Sequence, residues 1–340
     1  MIELPTLYLH QDDMVNRLRA SLARHRASIL QAPPGTGKTR IAKWMLGTSA
    51  NREPKPTQSG KSLFAVHRRG LVDNASSSFN EHPRLPHGIL MSGVEHDASR
   101  SVQVASIDTL LSWFCEDGAY TWDETFDLVI FDESHAHFSK LQTFLAAHNR
   151  RRLEMGLSLP YVIGLTATPQ AQGLADLYQE IVRGPETQWL IDQGFLKPYR
   201  YFRATQGKLG LLVKRGDEYT SDSVSSAMEG LSGDLVRDWK KFAQGRATVG
   251  FFPRRTHAQE AQEALSNAGI KAEYVDGETD DERRQLLYRW LNDGTIEYLC
   301  NVGVVERGTD IPRVGCVQMC TAVGNVVRWL QMLGRGSRVH

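Results

Sequence analysis

One stretch decides the fold: Ala32-Pro33-Pro34-Gly35-Thr36-Gly37-Lys38-Thr39, which follows a short apolar run and precedes an amphipathic segment. It has the pattern of a phosphate-binding loop, and such a loop requires a strand before it and a helix after it. Glycines let backbone N–H groups turn towards phosphate oxygens, and the amino end of the new helix attracts negative charge. We expect Lys38 to contact the β and γ phosphates of a nucleotide and the Thr39 hydroxyl to bind Mg²⁺. The alternative is a Gly/Pro turn that opens an ordinary helix.

An acidic pair is the second chemical signal. Asp132-Glu133-Ser134-His135 directly follows the apolar run 128–131, which is typical of a buried parallel strand. Such strands deliver their last residues to the sheet edge where ligands bind in open α/β folds. We expect Asp132 to hold Mg²⁺ and Glu133 to orient and deprotonate an attacking water. Alone, such a pair is more often a solvated turn, but beside the phosphate loop it indicates a nucleotide hydrolase.

Around these motifs, short apolar runs alternate with amphipathic segments, a pattern that predicts βαβ units and an α/β fold with mainly parallel sheets. The predicted strands are 28–31, 62–66, 102–106, 128–131, 161–165, 248–252, 271–275, 298–302 and 314–320. Predicted helices of the second series are 256–268, 280–292 and 325–333. Between the two series, the sequence from about 197 to 232 is rich in Gly, Ser, Thr and charged residues, and we interpret it as a connector.

Length and composition exclude several classes of protein. The chain has 340 residues, and about 150 residues per domain suggests two domains. Hydrophobic residues make up 41%, which argues against disorder, and no apolar run approaches the ~20 residues that cross a bilayer. The formal net charge is +1, so a nucleic-acid site would have to be a local feature. The four cysteines include no Cys-x-x-Cys pair, which favours reduced thiols in a cytoplasmic protein over zinc or a disulfide.

Taken in order, the motifs resemble those of superfamily-two DExH/DEAD-box helicases, nearest to the RadD-like and UvsW-like bacterial and phage branch. The resemblance covers nearly the whole chain. It implies two tandem RecA-like P-loop domains with ATP and Mg²⁺ bound at the first. Gln11 matches the glutamine that reads adenine in this family. His135, together with Thr166 and Thr168 of the Thr-Ala-Thr motif, matches residues that couple the ATP state to domain closure; for His135 a local hydrogen bond is the alternative.

The same resemblance implies nucleic-acid contacts in both halves. Arg68 and Thr109 lie in segments that resemble strand-binding motifs of the first domain. Thr279 and Arg283 lie in a segment that looks like the corresponding part of the second domain. For Arg68 and Arg283 a surface ion pair, worth about 0–1 kcal/mol, remains an open alternative.

Further family motifs end the chain. Gly308 and Asp310 match the motif that approaches the nucleotide from the second domain, and Gln331, Arg335 and Arg338 fit Gln-x-x-Gly-Arg-x-x-Arg. In the family this last motif supplies arginine fingers, and a guanidinium that neutralises charge on the transferred phosphoryl group accelerates hydrolysis by about 10³–10⁵. Arg338 is our first choice for the finger, with Arg335 beside it.

The function implied is an ATP-dependent helicase or translocase, with DNA favoured over RNA, no membrane association and a monomeric state. We expect the protein to be located in the cytoplasm of a bacterial or phage-infected cell. Alternatives are a restriction-type motor that translocates without separating strands, a small-molecule kinase, and a binding module without turnover. The kinase leaves the second α/β series unexplained, and the intact Lys38, Glu133 and Arg338 argue against the binding module.

We expect a first domain over 1–197, a connector over 198–232 and a second domain over 233–340. Members of the family continue with at least one more strand after the arginine motif, whereas this sequence stops at His340. We therefore expect a second domain that is incomplete, cut from a longer protein.

Overall fold

The structure, a computed structural model, describes residues 1–340 except 68, 117–118, 121, 137, 170–172, 203–207, 217, 229–231, 306–310, 335 and 337–340. The chain divides into two compact units, Met1–Leu190 and Ile191–His340. The predicted connector falls within the second unit, and the domain limits given above stay predictions. No helix in the described ranges has the length and apolar character needed to cross a membrane.

Among the described residues of the first unit, seven strands form one parallel sheet in the order β3-β4-β2-β7-β8-β1-β9, and β5 and β6 form a separate hairpin. The strands are β1 (Ala27–Gln31), β2 (Ser62–Val66), β3 (Gly88–Leu90), β4 (Val102–Ser106), β5 (Cys115–Glu116), β6 (Ala119–Tyr120), β7 (Leu128–Asp132), β8 (Tyr161–Thr166) and β9 (Glu180–Arg183).

Helices cover both faces of this sheet, and alternate strand residues point into two separate cores. In β7, Leu128 and Ile130 pack into one core with α1 and α2, while Val129 and Phe131 pack into the other with α4 and α5. Burial on both faces explains why these strands are continuous apolar runs. The helices are α1 (Leu9–Arg24), α2 (Lys38–Ala50), α3 (Arg69–Asn80), α4 (Ile107–Phe114), α5 (Phe138–Glu154) and α6 (Thr187–Asp192).

The second unit repeats this architecture on a smaller scale. Its described strands form a parallel sheet in the order β13-β14-β12-β15 and a short hairpin of β10 with β11. The strands are β10 (Lys214–Arg215), β11 (Glu218–Tyr219), β12 (Thr248–Phe251), β13 (Ala272–Val275), β14 (Tyr298–Asn301) and β15 (Cys316–Met319). The helices are α7 (Ser221–Met228), α8 (Ser232–Phe242), α9 (Arg255–Asn267), α10 (Asp281–Asp293) and α11 (Val326–Leu333).

The predicted α/β class with mainly parallel sheets is confirmed. Each long strand predicted in the first series is present within one residue at either end. The sequence analysis missed β3 and β9, which form the two edges of the large sheet. Edge strands are short and half solvated, so they carry a weaker apolar pattern than central ones.

Candidate active site

The phosphate loop connects β1 to α2, as its sequence pattern requires. Gly35 and Gly37 have φ angles of 83° and 86°, values that residues other than glycine rarely adopt. Gly37 is the N-cap of α2, and no acidic residue occupies the first turn of that helix. The amino end of α2 therefore keeps its partial positive charge for an anion.

Inside the loop, Lys38 folds back on the preceding backbone. Its ammonium donates to the carbonyl oxygens of Ala32 at 2.9 Å and Pro33 at 3.2 Å. The Thr36 hydroxyl donates to the same Pro33 carbonyl at 2.7 Å. These hydrogen bonds link residues within the loop. Lys38 can exchange its hydrogen bonds to carbonyl oxygens for hydrogen bonds to phosphate oxygens, which are stronger because both partners are charged.

Gln11 joins α1 to this loop. Its side-chain amide donates to the Thr36 carbonyl at 3.0 Å and accepts from the Tyr8 backbone N–H at 3.1 Å. The side chain is buried, and a Cβ atom placed on Gly37 would collide with Gln11 Nε2. Gln11 therefore braces the loop from behind, which adds a structural role to the adenine contact that the resemblance implies.

Asp132 is the last residue of β7, which pairs with β8, and Glu133 follows it. Burial and the neighbouring Glu133 carboxylate raise the pKa of Asp132 to about 7, and the Lys38 ammonium opposes this rise. Asp132 Oδ1 accepts a hydrogen bond from the Glu133 backbone N–H at 3.1 Å. The Asp132 carboxylate has too little positive charge nearby to offset its burial, so a bound cation would stabilise its charged form.

Glu133 has an unusual backbone conformation and a buried carboxylate oxygen. Its φ of 50° is the only positive value at a non-glycine residue in the described part of the chain. Such conformations cost free energy and collect at functional sites. Its buried Oε2 atom has no hydrogen-bond donor among the described residues, and His135 Nδ1 lies 3.5 Å away. This carboxylate oxygen therefore keeps its capacity to accept a hydrogen bond.

Thr166, the last residue of β8, connects the two motifs. Its carbonyl oxygen accepts from the backbone N–H of Ala32 at 2.9 Å. Its hydroxyl lies 2.8 Å from His135 Nδ1 and accepts from the backbone N–H of Thr168 at 3.0 Å. One residue thus touches the start of the phosphate loop, the acidic box and the rest of its own motif.

These residues fit a magnesium nucleotide. Mg²⁺ keeps much of its water and takes few protein ligands, so Asp132 and the Thr39 hydroxyl supply a suitable donor set with the phosphates. The described residues contain no group of three or more His, Cys, Asp or Glu side chains placed to hold a metal ion by themselves. The positive φ of Gly37 and the Lys38 ammonium inside the loop are suited to binding the anionic phosphates.

Thr109 lies on the other half of the same sheet edge. The strand β4 ends at Ser106, whose hydroxyl caps α4 by accepting from the Thr109 backbone N–H at 3.1 Å. Thr109 Oγ1 is 2.9 Å from Ser106 Oγ. The order β4-β2-β7-β8-β1 separates this cap from the phosphate loop by three strands.

In the second unit, Thr279 and Arg283 lie close to the carboxyl end of β13. The Thr279 hydroxyl donates to Asp276 Oδ1 at 3.0 Å and closes a tight turn. Arg283 donates to Glu273 at 3.1 Å and covers the Trp290 ring at 4.8 Å. This is an ion pair of the kind considered as the alternative, and nucleic-acid contact by Arg283 stays a prediction.

Gln331 is buried on α11, and its Oε1 atom has no hydrogen-bond donor within the described residues. The other predicted site residues lie outside the described residues, and their roles stay predictions: Arg68, Gly308, Asp310, Arg335 and Arg338.

Sequence reasoning missed one polar network in the second unit. Oδ2 of the buried Asp276 accepts from the Tyr274 hydroxyl at 2.7 Å, and Arg255 Nε lies 2.8 Å from the same oxygen. These contacts fix the turn that carries Thr279. The spacing of Tyr274 and Asp276 could have indicated this network, because residues two apart share one face of a strand.

Two family models match this chain. Residues 4–171 match "Type III restriction enzyme, res subunit", and residues 233–340 match "Helicase conserved C-terminal domain". The two matches correspond to the two α/β series and contain all the motifs quoted above.

Among curated proteins, a "51.5 kDa protein" of a Lactococcus phage (isolate 7-9) is 27% identical over 91% of this chain and 62% of its own length. The "Putative ATP-dependent helicase IRC3" of Saccharomyces cerevisiae is 25% identical over 97% of this chain and 48% of its own length. The chain thus spans about half to three fifths of the length of these two relatives.

Among solved structures, the fragment of "a putative HsdR subunit of a type I restriction enzyme" from Vibrio vulnificus YJ016 superposes with a TM-score of 0.70. The match covers 99% of this chain and 62% of that chain at 20% sequence identity. At this identity the likeness concerns the fold.

Proposed function

This chain carries the core of superfamily-two helicases, a class of ATP-hydrolysing enzymes, and from that premise we propose that it is an ATP-dependent motor on nucleic acid. One observation carries the proposal: Thr166 contacts both Ala32 at the phosphate loop and His135 of the acidic box. A change at the γ phosphate can therefore reach the acidic box through direct hydrogen bonds.

For hydrolysis, each residue has a role that its position supports. The loop amides and Lys38 hold the phosphates, and the Glu133 carboxylate accepts the proton of the attacking water. Asp132 and Thr39 would hold Mg²⁺, which neutralises phosphate charge when it is bound. Gln11 keeps the loop in its binding shape.

The second unit completes this proposal. We assign Gly308 and Asp310 to the nucleotide, and Arg335 and Arg338, with Gln331, to the developing charge on the γ phosphate. Hydrolysis removes the contacts that the γ phosphate makes, so the two units alternate between two arrangements. Thr109, Arg68, Thr279 and Arg283 are the proposed phosphate contacts to the strand.

The proposed partner is DNA rather than RNA, supported by the match to restriction-enzyme subunits. Phosphate contacts carry no sugar information, so this choice needs an experiment. We place the protein, as a monomer, in the cytoplasm of a bacterial or phage-infected cell.

The test is ATP hydrolysis by the 340-residue chain with single-stranded DNA, duplex DNA, forked DNA and RNA. We expect stimulation by many DNA sequences that is lost at high salt, because phosphate contacts release counterions. A rate that no polynucleotide changes at any salt concentration would exclude the motor.

A second candidate is a motor that translocates on duplex DNA without separating its strands. The match to the restriction-enzyme res subunit and the superposition on the HsdR fragment favour it. A strand-displacement assay run beside the ATPase assay separates the two: displacement supports the helicase, and duplex-stimulated hydrolysis without displacement supports the translocase.

A further inference from the structure

A stretch of the second unit, 197–215, combines aromatic and basic residues and has no role in the function proposed above. It contains six basic residues and no acidic ones: Lys197, Arg200, Arg203, Lys208, Lys214 and Arg215. The whole chain has a net charge of only +1, so positive charge is concentrated here. The sequence Lys197-Pro198-Tyr199-Arg200-Tyr201-Phe202 contains two basic and three aromatic residues within six positions.

Three rings from this stretch and α11 form what we call the aromatic surface: Tyr199, Tyr201 and Trp329. The rings of Tyr201 and Trp329 are nearly parallel, 11° apart with centroids separated by 6.5 Å, and Tyr199 lies 5.7 Å from Tyr201. Tyr201 is 65% exposed, and Tyr199 and Trp329 are each 39% exposed. All three aromatic residues of this surface are therefore partly exposed to solvent.

The neighbouring residues hold this surface in place and supply charge. Phe202 stacks on Phe242 of α8, with centroids 4.4 Å apart. The Arg200 guanidinium lies 5.6 Å from the Phe202 centroid, and the Lys241 ammonium lies 5.0 Å from the Phe242 centroid. Phe202 thus joins the segment to α8, and each ring of this Phe202–Phe242 pair has a cation beside it.

We propose that the aromatic surface binds a single-stranded nucleic acid by stacking its bases, with Lys197, Arg200 and Lys241 next to the phosphates. Every base has a flat face, so ring stacking combined with positive charge gives binding without sequence preference. A protein partner for so basic a surface would have to be acidic, and neither the family nor the fold requires one. This inference rests on the proposed function, because it adds a base-stacking site to the same substrate.

The test measures binding of the full chain to a fluorescent dT strand of about 20 nucleotides, long enough to span one binding site, with an rU strand of equal length as a second arm. Tyr201→Ala should weaken binding by about 5- to 150-fold, the usual range for one stacked base. Tyr201→Trp keeps a ring and should retain the affinity. Leu153→Ala, at a first-unit position 63% exposed, is the matched control and should bind like the unmodified protein.

A strand of the same length with abasic sugars separates stacking from charge. The unmodified protein should bind it more weakly than dT, and Tyr201→Ala should cause no further loss, because the base that it stacks is absent. An equal loss on abasic and normal strands, or no loss on either, overturns the stacking site. If the unmodified protein binds neither dT nor rU, this inference fails, and ATP hydrolysis with duplex and forked DNA then decides separately whether the proposed function holds. If it binds either strand and Tyr201→Ala is without effect, only this inference fails.

Discussion

The imidazole of His135 and the hydroxyl of Thr166 form a 2.8 Å contact between Nδ1 and Oγ1, and this contact joins the acidic box to the end of the neighbouring strand. The two residues are 31 positions apart in the sequence and meet because β7 and β8 are adjacent and parallel. The same hydroxyl accepts the buried backbone N–H of Thr168. The Thr166 hydroxyl thus contacts both the acidic box and the backbone of its own Thr-Ala-Thr motif.

Thr166→Val should uncouple the two motifs. Valine has nearly the same shape but no hydroxyl, so the Thr168 N–H loses its acceptor at a cost of about 1–3 kcal/mol. We expect the ratio of DNA-stimulated to basal ATP hydrolysis to fall by about tenfold, which corresponds to a coupling free energy of typical size. Thr166→Ser restores the hydroxyl and should restore the ratio. Full stimulation in the valine variant would contradict a coupling role.

Glu133→Gln should block the chemical step and leave nucleotide binding intact. Glutamine keeps the length and shape of the side chain but accepts a proton poorly, so we expect the turnover number to fall by about 10²–10⁴. Phosphate release and binding of a fluorescent nucleotide measure the two properties separately. Glu154→Gln, at an exposed position on α5, is the matched control. Unchanged turnover in Glu133→Gln would remove this residue from the role of base.

Gly37→Ala should cost more than backbone strain alone. Gly156 has a similar φ of 71°, and a Cβ atom added there would meet no other atom, so Gly156→Ala measures the strain, about 1–2 kcal/mol. At Gly37 the added Cβ also collides with Gln11 Nε2. We expect a larger drop in the melting temperature and no further stabilisation by ADP, whereas Gly156→Ala keeps the ADP-dependent shift. Equal behaviour of the two variants would show that Gln11 does not brace the loop.

His148 should make the first unit sensitive to acid. Burial lowers the pKa of His148 from 6.5 to about 3, with Arg152 adding to the effect, and its Nε2 accepts from the Phe126 backbone N–H at 3.0 Å. The folded pKa lies below the unfolded value, so the unfolded chain takes up the proton first. Stability is complete above about pH 6.5 and falls as the pH decreases towards 3.

Amide exchange at Phe126 in the full chain measures this effect. Between about pH 7 and about pH 4.5 the opening free energy should fall by roughly 2–3 kcal/mol, after correction for the intrinsic exchange rate. His148→Gln keeps an acceptor but does not titrate, so its decrease should be smaller by that amount. The same pH dependence in both proteins would assign it to other groups.

The central strands and the phosphate loop could be predicted because local sequence carries them. In β7, buried on both faces, every residue from Leu128 to Phe131 is apolar, and the positive φ at Gly35 and Gly37 needs glycine. The positive φ of Glu133 could not be predicted, since no local preference favours it at glutamate. The ring cluster of Tyr201 and Trp329 was also missed, because its members are 128 positions apart in the chain.

The sequence by itself determined the family, the parallel α/β architecture and the residue types of the nucleotide site, because motif spacing and apolar periodicity are local properties. Only the tertiary structure decided which of these residues touch. Strand order brings Thr166 to Ala32 and His135, and folding of the chain places Gln11 behind the phosphate loop. These contacts depend on the positions of strands and helices distant in sequence, and no local pattern specifies them.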